Sequence, residues 1–174
     1  MKNKHRSFIA HYEETKNQIF NYLMYRLNFD KNLSEDLLMD IVLKAYENFD
    51  SYDKNKGTFK NWIFTITHNH LVNYWRTNEN KKTISLEKLD NESLNISELN
   101  STDSTKKDIE TQKIKHILSL MNESEIELLT LKYIHDFNNT EISKILEKNE
   151  GSTRTGLSRA VDRFRTLYQK IYSK

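Results

Sequence analysis

Apolar residues in the first part of the chain recur at the spacing of an α-helix. They are separated by three, four or seven positions and so fall on one helix face: Phe8, Tyr12, Ile19, Phe20, Leu23 and Leu27. A second run continues this pattern through Leu37, Ile41, Ala45 and Phe49. We expect this second helix to start at Ser34 as its N-cap, with Leu33 and Leu38 closing a hydrophobic staple.

A third apolar run begins after the polar segment 50–58, in which Gly57 marks a turn. Its β-branched piece IFTIT would favour a strand by propensity alone. Over a longer window, however, the apolar and aromatic positions keep helical spacing: Phe59, Trp62, Ile63, Ile66 and His70. The pattern therefore predicts a third helix.

Three helix starts are marked in the last part of the chain. Asn122 with Glu125, and Asn138 with Glu141, have the spacing of an N-cap and its N3 partner. Asn149 announces a third helix, which is basic. The predicted helices 122–135 and 138–147, a short turn and a basic helix are typical of a helix-turn-helix.

Residues 81–112 separate these two parts. This segment has no aromatic residue and is rich in Ser, Thr, Asn, Lys and Glu, so it buries little surface. We therefore predict an all-α chain of two small helical domains, residues 1–80 and 113–174. A flexible polar linker over 81–112 joins them, and the C-terminal domain is the helix-turn-helix.

Composition restricts the chemistry and the compartment. Cys is absent, which excludes disulfides, thiolate zinc sites and cysteine nucleophiles. No stretch approaches the ~20 apolar residues of a membrane span, and no signal-peptide run follows the basic start. We expect a cytoplasmic protein without membrane insertion. The net charge is only +2, but residues 149–174 hold six basic residues against two acidic ones, which makes the last helix a candidate phosphate binder.

The tripeptide His68-Asn69-His70 spells the name of a nuclease motif. It lies in an apolar-aromatic helix, where side chains two positions apart diverge, and no cluster of ligand-spaced residues completes a metal site. Glycine-rich phosphate loops and nucleophile pairs are also missing. We therefore predict no catalytic residue, no metal and no cofactor.

Two segments resemble one known family. SEDLLMDIVLKAYENFDSYDKNKGTFKNWIFTITHNHLVNYWR, residues 34–76, resembles region two of the extracytoplasmic-function (ECF) sigma factors. NESEIELLTLKYIHDFNNTEISKILEKNEGSTRTGLSRA, residues 122–160, is similar to their region four. The resemblance implies an initiation factor that directs bacterial RNA polymerase to promoter DNA and opens the minus-ten element by base capture. Its implied partners are the core enzyme, at the β′ clamp and the β flap, the promoter and an anti-sigma factor.

The resemblance assigns the second helix to core polymerase binding. The implied contacts are Glu35, Asp36, Met39 and Asp40. Asp36 and Asp40 are one turn apart and can face a basic partner together. Met39 stands where many relatives carry Gln.

The loop after the second helix, together with the third helix, corresponds to the minus-ten reader of the family. The implied contacts are Tyr52, Lys56, Asn69, Asn73, Tyr74 and Arg76. Thr65 and His68 replace basic residues that are usual in this helix, which weakens the expected attraction for phosphate.

The basic helix corresponds to the minus-thirty-five reader, through Arg154, Thr155, Ser158 and Arg159. Arg can read guanine bidentately in the major groove. Four residues depart from the family pattern: Glu147 at the turn glycine, Lys148 and Thr153 at apolar positions, and Gly156 at a usual arginine. We expect a less stable region four and an unusual minus-thirty-five preference.

Two rival functions share these features. A stand-alone helix-turn-helix regulator would bind an operator by itself and use residues 1–80 for sensing or dimerisation. An anti-sigma or adaptor protein would bind polymerase parts without reading DNA. A sigma factor needs core polymerase to act at DNA, whereas the stand-alone regulator does not. A sigma factor also selects the promoter, whereas the anti-sigma or adaptor protein does not.

Overall fold

A computed structural model describes residues 2–84 and 106–173, with side chains described over 5–78 and 109–173. Within these ranges the chain forms seven α-helices and no strand, which confirms the predicted all-α class. The helices are α1 (Lys2–Arg26), α2 (Lys31–Glu47), α3 (Phe59–Ile84), α4 (Lys106–Ser119), α5 (Glu123–Leu129), α6 (Asn139–Ile145) and α7 (Glu150–Tyr172). A 3₁₀ turn covers Phe49–Ser51, and a π-helical turn covers Thr130–Ile134. None of the helices in the described ranges has the length and apolar character needed to cross a bilayer.

Helices α1, α2 and α3 form the first half and pack through the apolar faces that the periodicity predicts. Phe8, Ile19 and Leu23 of α1 are buried. The segment IFTIT lies inside α3, so helical spacing prevails over strand propensity. An aromatic group at one end of this bundle joins the 3₁₀ turn to α1 and α3; its rings are those of Phe8, His11, Phe49, Tyr52, Phe59 and Trp62.

The predicted start of α2 is wrong by one turn. Asp30 is the N-cap, and its side chain accepts a hydrogen bond from the Leu33 amide at 3.0 Å. Ser34 lies inside the helix and is buried, with its hydroxyl donating to the Asp30 carbonyl at 2.6 Å. The staple between Leu33 and Leu38 therefore does not form at the helix entry. Aspartate caps as well as serine does, and a serine hydroxyl bonded to the preceding turn can be buried inside a helix.

The second half comprises α4 to α7, and its helix starts are as predicted. Asn122 and Glu125 form a complete capping box at α5, and Asn138 and Glu141 form another at α6. The Asn149 side chain caps α7 and accepts from the Gly151 amide at 2.8 Å. Helix α6, the turn over residues 146–149 and α7 form the helix-turn-helix. The predicted helix 122–135 is divided into α5 and the π-helical turn.

Helix α4 was not predicted. Its first turns are polar, but Ile117 and Leu118 are buried against the second half. Helix α3 runs on to Ile84 and α4 begins at Lys106, so both enter the segment interpreted as a linker. Residues 85–105 of that segment lie outside the described residues. The domain bounds 1–80, 81–112 and 113–174 remain a prediction.

The two halves pack against each other along a surface that we call the junction. The rings of Phe64 in α3 and Phe137, before α6, have centroids 4.9 Å apart. His135 lies between the halves, with its ring 5.0 Å from Phe64 and 6.0 Å from Tyr22. Only 3% of His135 is exposed. Burial, with a smaller contribution from the Lys60 charge, lowers the pKa of His135 to about 4.

This burial predicts an acid-sensitive fold. His135 stays neutral in the folded chain down to about pH 4, whereas in the unfolded chain it takes up a proton near pH 6.5. The free energy of unfolding is therefore not reduced by this titration above pH 6.5, and it decreases as the pH falls from 6.5 towards 4. Between pH 7 and pH 5 we expect a loss of about 2 kcal/mol in the free energy of unfolding, measured by urea titration followed by circular dichroism.

His135→Phe is the matched variant, because it keeps a ring at the site and removes the titration. Its free energy of unfolding should fall by less over the same interval. Equal losses in the two proteins would show that His135 is not the titrating group.

Candidate nucleic-acid interface

The outer face of α2 carries one exposed group of residues, which we call the acidic ridge: Glu35, Asp36, Met39 and Asp40. Leu37 and Ile41 point the opposite way and are buried in the core. All four predicted polymerase-binding residues therefore share one accessible surface.

An apolar strip accompanies the acids of the ridge. Met39 is 73% exposed, and Leu43, one turn further along, is 59% exposed. Carboxylates beside exposed apolar side chains are suited to binding a protein partner. The acids select a basic surface, and the apolar groups supply contact area.

The loop between α2 and α3 forms one wall of a cleft of about 460 Å³. Tyr52 and Lys56 line it from the loop, while Asn61 and Thr65 line it from α3. Residues of α6 form the opposite wall. The Tyr52 ring is half-buried and stacks on Phe49 at 5.9 Å, so only part of it is accessible from the cleft.

Asn61, Thr65 and Asn69 form a polar line along α3, at successive four-residue steps, which we call the α3 stripe. Both asparagines bond across the junction. The Asn61 amide donates to Glu141 at 3.1 Å, and the Asn69 amide donates to Glu147 at 3.2 Å. Of the stripe, only Asn69 was predicted as a site residue. The four-residue repeat of polar side chains on an otherwise apolar helix was the available signal for the other two.

The remaining predicted minus-ten residues lie beyond the cleft. Asn73 and Arg76 are exposed and pair with each other, since the Arg76 guanidinium donates to the Asn73 side chain at 2.9 Å. Tyr74 is half-buried and packs on the core. The structure thus brings Tyr52 and Lys56 together at the cleft and places Asn73, Tyr74 and Arg76 further along α3.

Helix α7 presents its predicted DNA-reading residues on one exposed side, which we call the recognition face: Arg154, Thr155, Ser158 and Arg159. Thr153, Leu157 and Ala160 are buried on the opposite side. Arg154 is paired with Glu150 at 3.3 Å. The recognition face is therefore exposed to solvent, while the opposite side of α7 packs on the core.

Two of the other basic residues of α7 are paired within the chain. Arg163 lies 3.4 Å from Glu125, and Arg165 lies 3.5 Å from Asp162. Fewer basic side chains of α7 are therefore available to bind phosphate than the number of basic residues suggests.

Three of the four residues that depart from the region-four pattern have a distinct local environment. Glu147 has a φ of 51°, the left-handed conformation that glycine adopts most easily. A Cβ atom on Gly156 would lie 3.0 Å from the Leu128 side chain, so glycine allows α7 to approach α5 closely. Thr153 remains a core residue, because it is buried and its hydroxyl donates to the Asn149 carbonyl at 3.1 Å.

A buried carboxylate in α5 was not predicted to matter. Glu127 Oε1 lies 2.7 Å from His68 Nδ1 and 3.6 Å from Arg26 Nε, and it accepts a hydrogen bond from the Tyr22 hydroxyl. We call these four residues the Glu127 cluster. Its three partner groups come from α1 and α3, so it joins the two halves.

The Glu127 cluster keeps its carboxylate charged despite burial. Burial by itself raises the pKa of Glu127, but the hydrogen bond from His68 and the charge of Arg26 outweigh burial and lower it below the ordinary value. Burial and the neighbouring carboxylate raise the pKa of Tyr22 well above its ordinary value, so the hydroxyl keeps its proton and donates.

The described residues contain no group of three or more His, Cys, Asp or Glu side chains placed to hold a metal ion. His68 bonds to Glu127, and the His70 side chain leaves α3 in another direction, with burial lowering its pKa. The two histidines of the tripeptide therefore do not converge on one site.

Residues 11–81 match the family described as Sigma-70 region 2. Over 160 residues the chain is 28% identical to the ECF RNA polymerase sigma factor SigM of Bacillus subtilis, covering 91% of this chain and 93% of SigM. It is 23% identical over 152 residues to BldN of Streptomyces coelicolor, an ECF sigma factor, covering 86% of this chain and 56% of BldN.

Two solved structures share the fold over most of the chain. The sigma factor RpoE of Bartonella quintana, solved with the anti-sigma factor NepR, superposes with a TM-score of 0.76 at 20% identity, over 96% of this chain and 99% of RpoE. CnrH, solved with the cytosolic domain of CnrY, gives a TM-score of 0.68 at 14% identity, over 96% of this chain and 90% of CnrH.

These likenesses extend over both halves and not only over the region-two helices. The first half of the chain therefore contains a Sigma-70 region 2. Over most of its length the chain is similar to sigma factors of the ECF type, and it shares their fold.

Proposed function

We propose that this chain binds core RNA polymerase through the acidic ridge and carries it to promoters that it reads at two elements. The recognition face reads the minus-thirty-five element, and the cleft with the α3 stripe reads the minus-ten element. The observation that supports this most is the presence, in one chain, of a region-two module and an exposed helix-turn-helix face.

The upstream contact is proposed to be a major-groove reading. Arg154 and Arg159 are exposed and five positions apart on α7, which puts both on the side of the helix that faces away from the core. A bidentate arginine–guanine pair discriminates by about 1–3 kcal/mol. Two such pairs suffice for a clear promoter preference.

The downstream contact is proposed to be capture of an unpaired base. Removing a base from the stack costs a few kcal/mol, and stacking on a ring returns about 1–3 kcal/mol per base. Tyr52 supplies an aromatic ring at the cleft, while Lys56 is exposed there for phosphate. Asn69 has an amide that can pair with a base edge once it is released from Glu147.

An anti-sigma factor is proposed as a further partner. Of the two similar folds, RpoE was solved with the anti-sigma factor NepR, and CnrH was solved with the cytosolic domain of CnrY. Because the proposed action depends on RNA polymerase, the proposed place of action is the cytoplasm. No group of this chain is proposed to catalyse a reaction; the polymerase makes the transcript.

Run-off transcription with reconstituted core tests the proposal directly. Core polymerase with this chain should produce discrete transcripts from promoter fragments that core alone leaves silent. A result with no added start would refute the sigma function. Tight binding of duplex DNA by the isolated chain, with no effect on core, would instead favour the stand-alone regulator.

Reversing the charge of the acidic ridge should weaken core binding. For Asp36→Arg with Asp40→Arg we expect at least about a tenfold loss in affinity for core, because like charges then face a basic surface. Both side chains are exposed, so helicity should be retained. Glu13→Arg with Asp162→Arg makes the same charge change elsewhere and should bind normally; unchanged affinity of the ridge variant would remove the ridge from the interface.

Truncating the recognition face should weaken upstream selectivity. Arg154→Ala with Arg159→Ala should lower the preference for the cognate minus-thirty-five element by about tenfold or more, measured by competition run-off between two promoters. Arg163→Ala with Arg165→Ala removes the same charge from paired residues and should preserve the preference. Promoter choice that survives the first pair of changes would favour an adaptor that does not read DNA.

A further inference from the structure

The junction between the halves covers the surface proposed to read the minus-ten element. The α3 stripe faces α6, and its two asparagines are bonded to Glu141 and Glu147 of the second half. Lys60, one residue before the stripe, donates to the His135 carbonyl at 2.5 Å. A DNA strand and helix α6 therefore cannot occupy this face at the same time.

The Glu127 cluster determines how the halves meet. The Glu127 side chain is 5% exposed and that of Arg26 is 3% exposed. A charge buried to this degree requires its partners in place. Since Tyr22, Arg26 and His68 all lie in the first half, any other arrangement of the halves leaves Glu127 to be solvated by water instead.

The contacts of the Glu127 cluster can form and break reversibly. A buried ion pair recovers in contact energy roughly what it loses in desolvation, so it specifies geometry more than it adds stability. Separation of the halves lets water replace the partners of the Glu127 carboxylate. The apolar contacts of the junction, among them Phe64 on Phe137, open with it.

Two departures from the family pattern take part in the junction. His68 stands where the family usually has a basic residue, and here it bonds Glu127. Glu147 stands at a turn glycine, and here it accepts from Asn69.

We infer that the Glu127 cluster and the Glu147–Asn69 bond are an autoinhibitory latch, which holds region four over the minus-ten reading face until the halves separate. The inference rests on the proposed function, because it presumes that this face reads DNA. In the latched chain the binding-competent fraction is small, and the apparent affinity for a minus-ten strand is reduced by that fraction.

Opening can be measured without any promoter. The chain has no cysteine, so Glu47→Cys and Gln169→Cys, both at exposed positions, accept a dye pair for distance measurement by energy transfer. Glu127→Ala should shift the pair to longer distances, because Arg26 and His68 then lack their carboxylate. Glu123→Ala removes an exposed carboxylate of the same helix and keeps the backbone carbonyl that accepts from Arg26, so it should leave the distance unchanged.

DNA binding by the same proteins tests the masking. The probe is a fluorescent single strand carrying the non-template minus-ten sequence of a promoter found by run-off, with a scrambled strand as its control. Glu127→Ala should bind the probe about tenfold more tightly than the unchanged chain, and Glu123→Ala should not differ from it.

Glu147→Gly is a second variant that tests the latch if Glu127→Ala folds poorly. It removes the bond to Asn69 and places glycine at a φ of 51°, so its thermal midpoint should not fall while its probe affinity rises. Unchanged dye distances in a folded Glu127→Ala would overturn the latch, and longer distances with unchanged probe affinity would overturn the masking. Failure of the sigma function itself would appear separately, as silent run-off with the unchanged chain.

Discussion

The arrangement of this molecule depends on one buried carboxylate. Glu127 lies in the second half, but the groups that make its burial tolerable lie in the first. An unpaired charge at this depth would cost several kcal/mol, so the halves adopt the one orientation that brings Tyr22, Arg26 and His68 to it. The positions of the α3 stripe, His135 and Phe137 follow from that orientation.

The amide side chains of the α3 stripe suit both the observed contact and the proposed one. Asparagine can donate to a carboxylate, as Asn61 and Asn69 do at Glu141 and Glu147, and its amide has the same donor and acceptor groups that recognise base edges. Arginine or lysine on this stripe would bind the carboxylates more firmly. The polar but uncharged stripe therefore holds the carboxylates less firmly than a basic stripe would, as the proposed exchange with nucleic acid requires.

Sequence reasoning succeeded where the determining contacts are local and failed where they are distant. The capping boxes at Asn122 and Asn138 involve residues three positions apart, and both formed as predicted. The start of α2 was misplaced because Asp30 and Ser34 are equally good caps by type. Glu127 resembles an ordinary surface acid in sequence, since its partners His68 and Tyr22 are 59 and 105 positions away.

The turn at Glu147 combines a left-handed backbone with a hydrogen bond across the junction. A left-handed backbone costs a residue with a Cβ atom roughly 1–2 kcal/mol, and this cost is present whether the halves are together or apart. The hydrogen bond from Asn69, typically about 1 kcal/mol net, exists only when they are together. The strain therefore cancels between the two arrangements, and the Asn69 bond alone favours the closed one. Through this bond the residue in the turn before α7 favours the packing of the two halves.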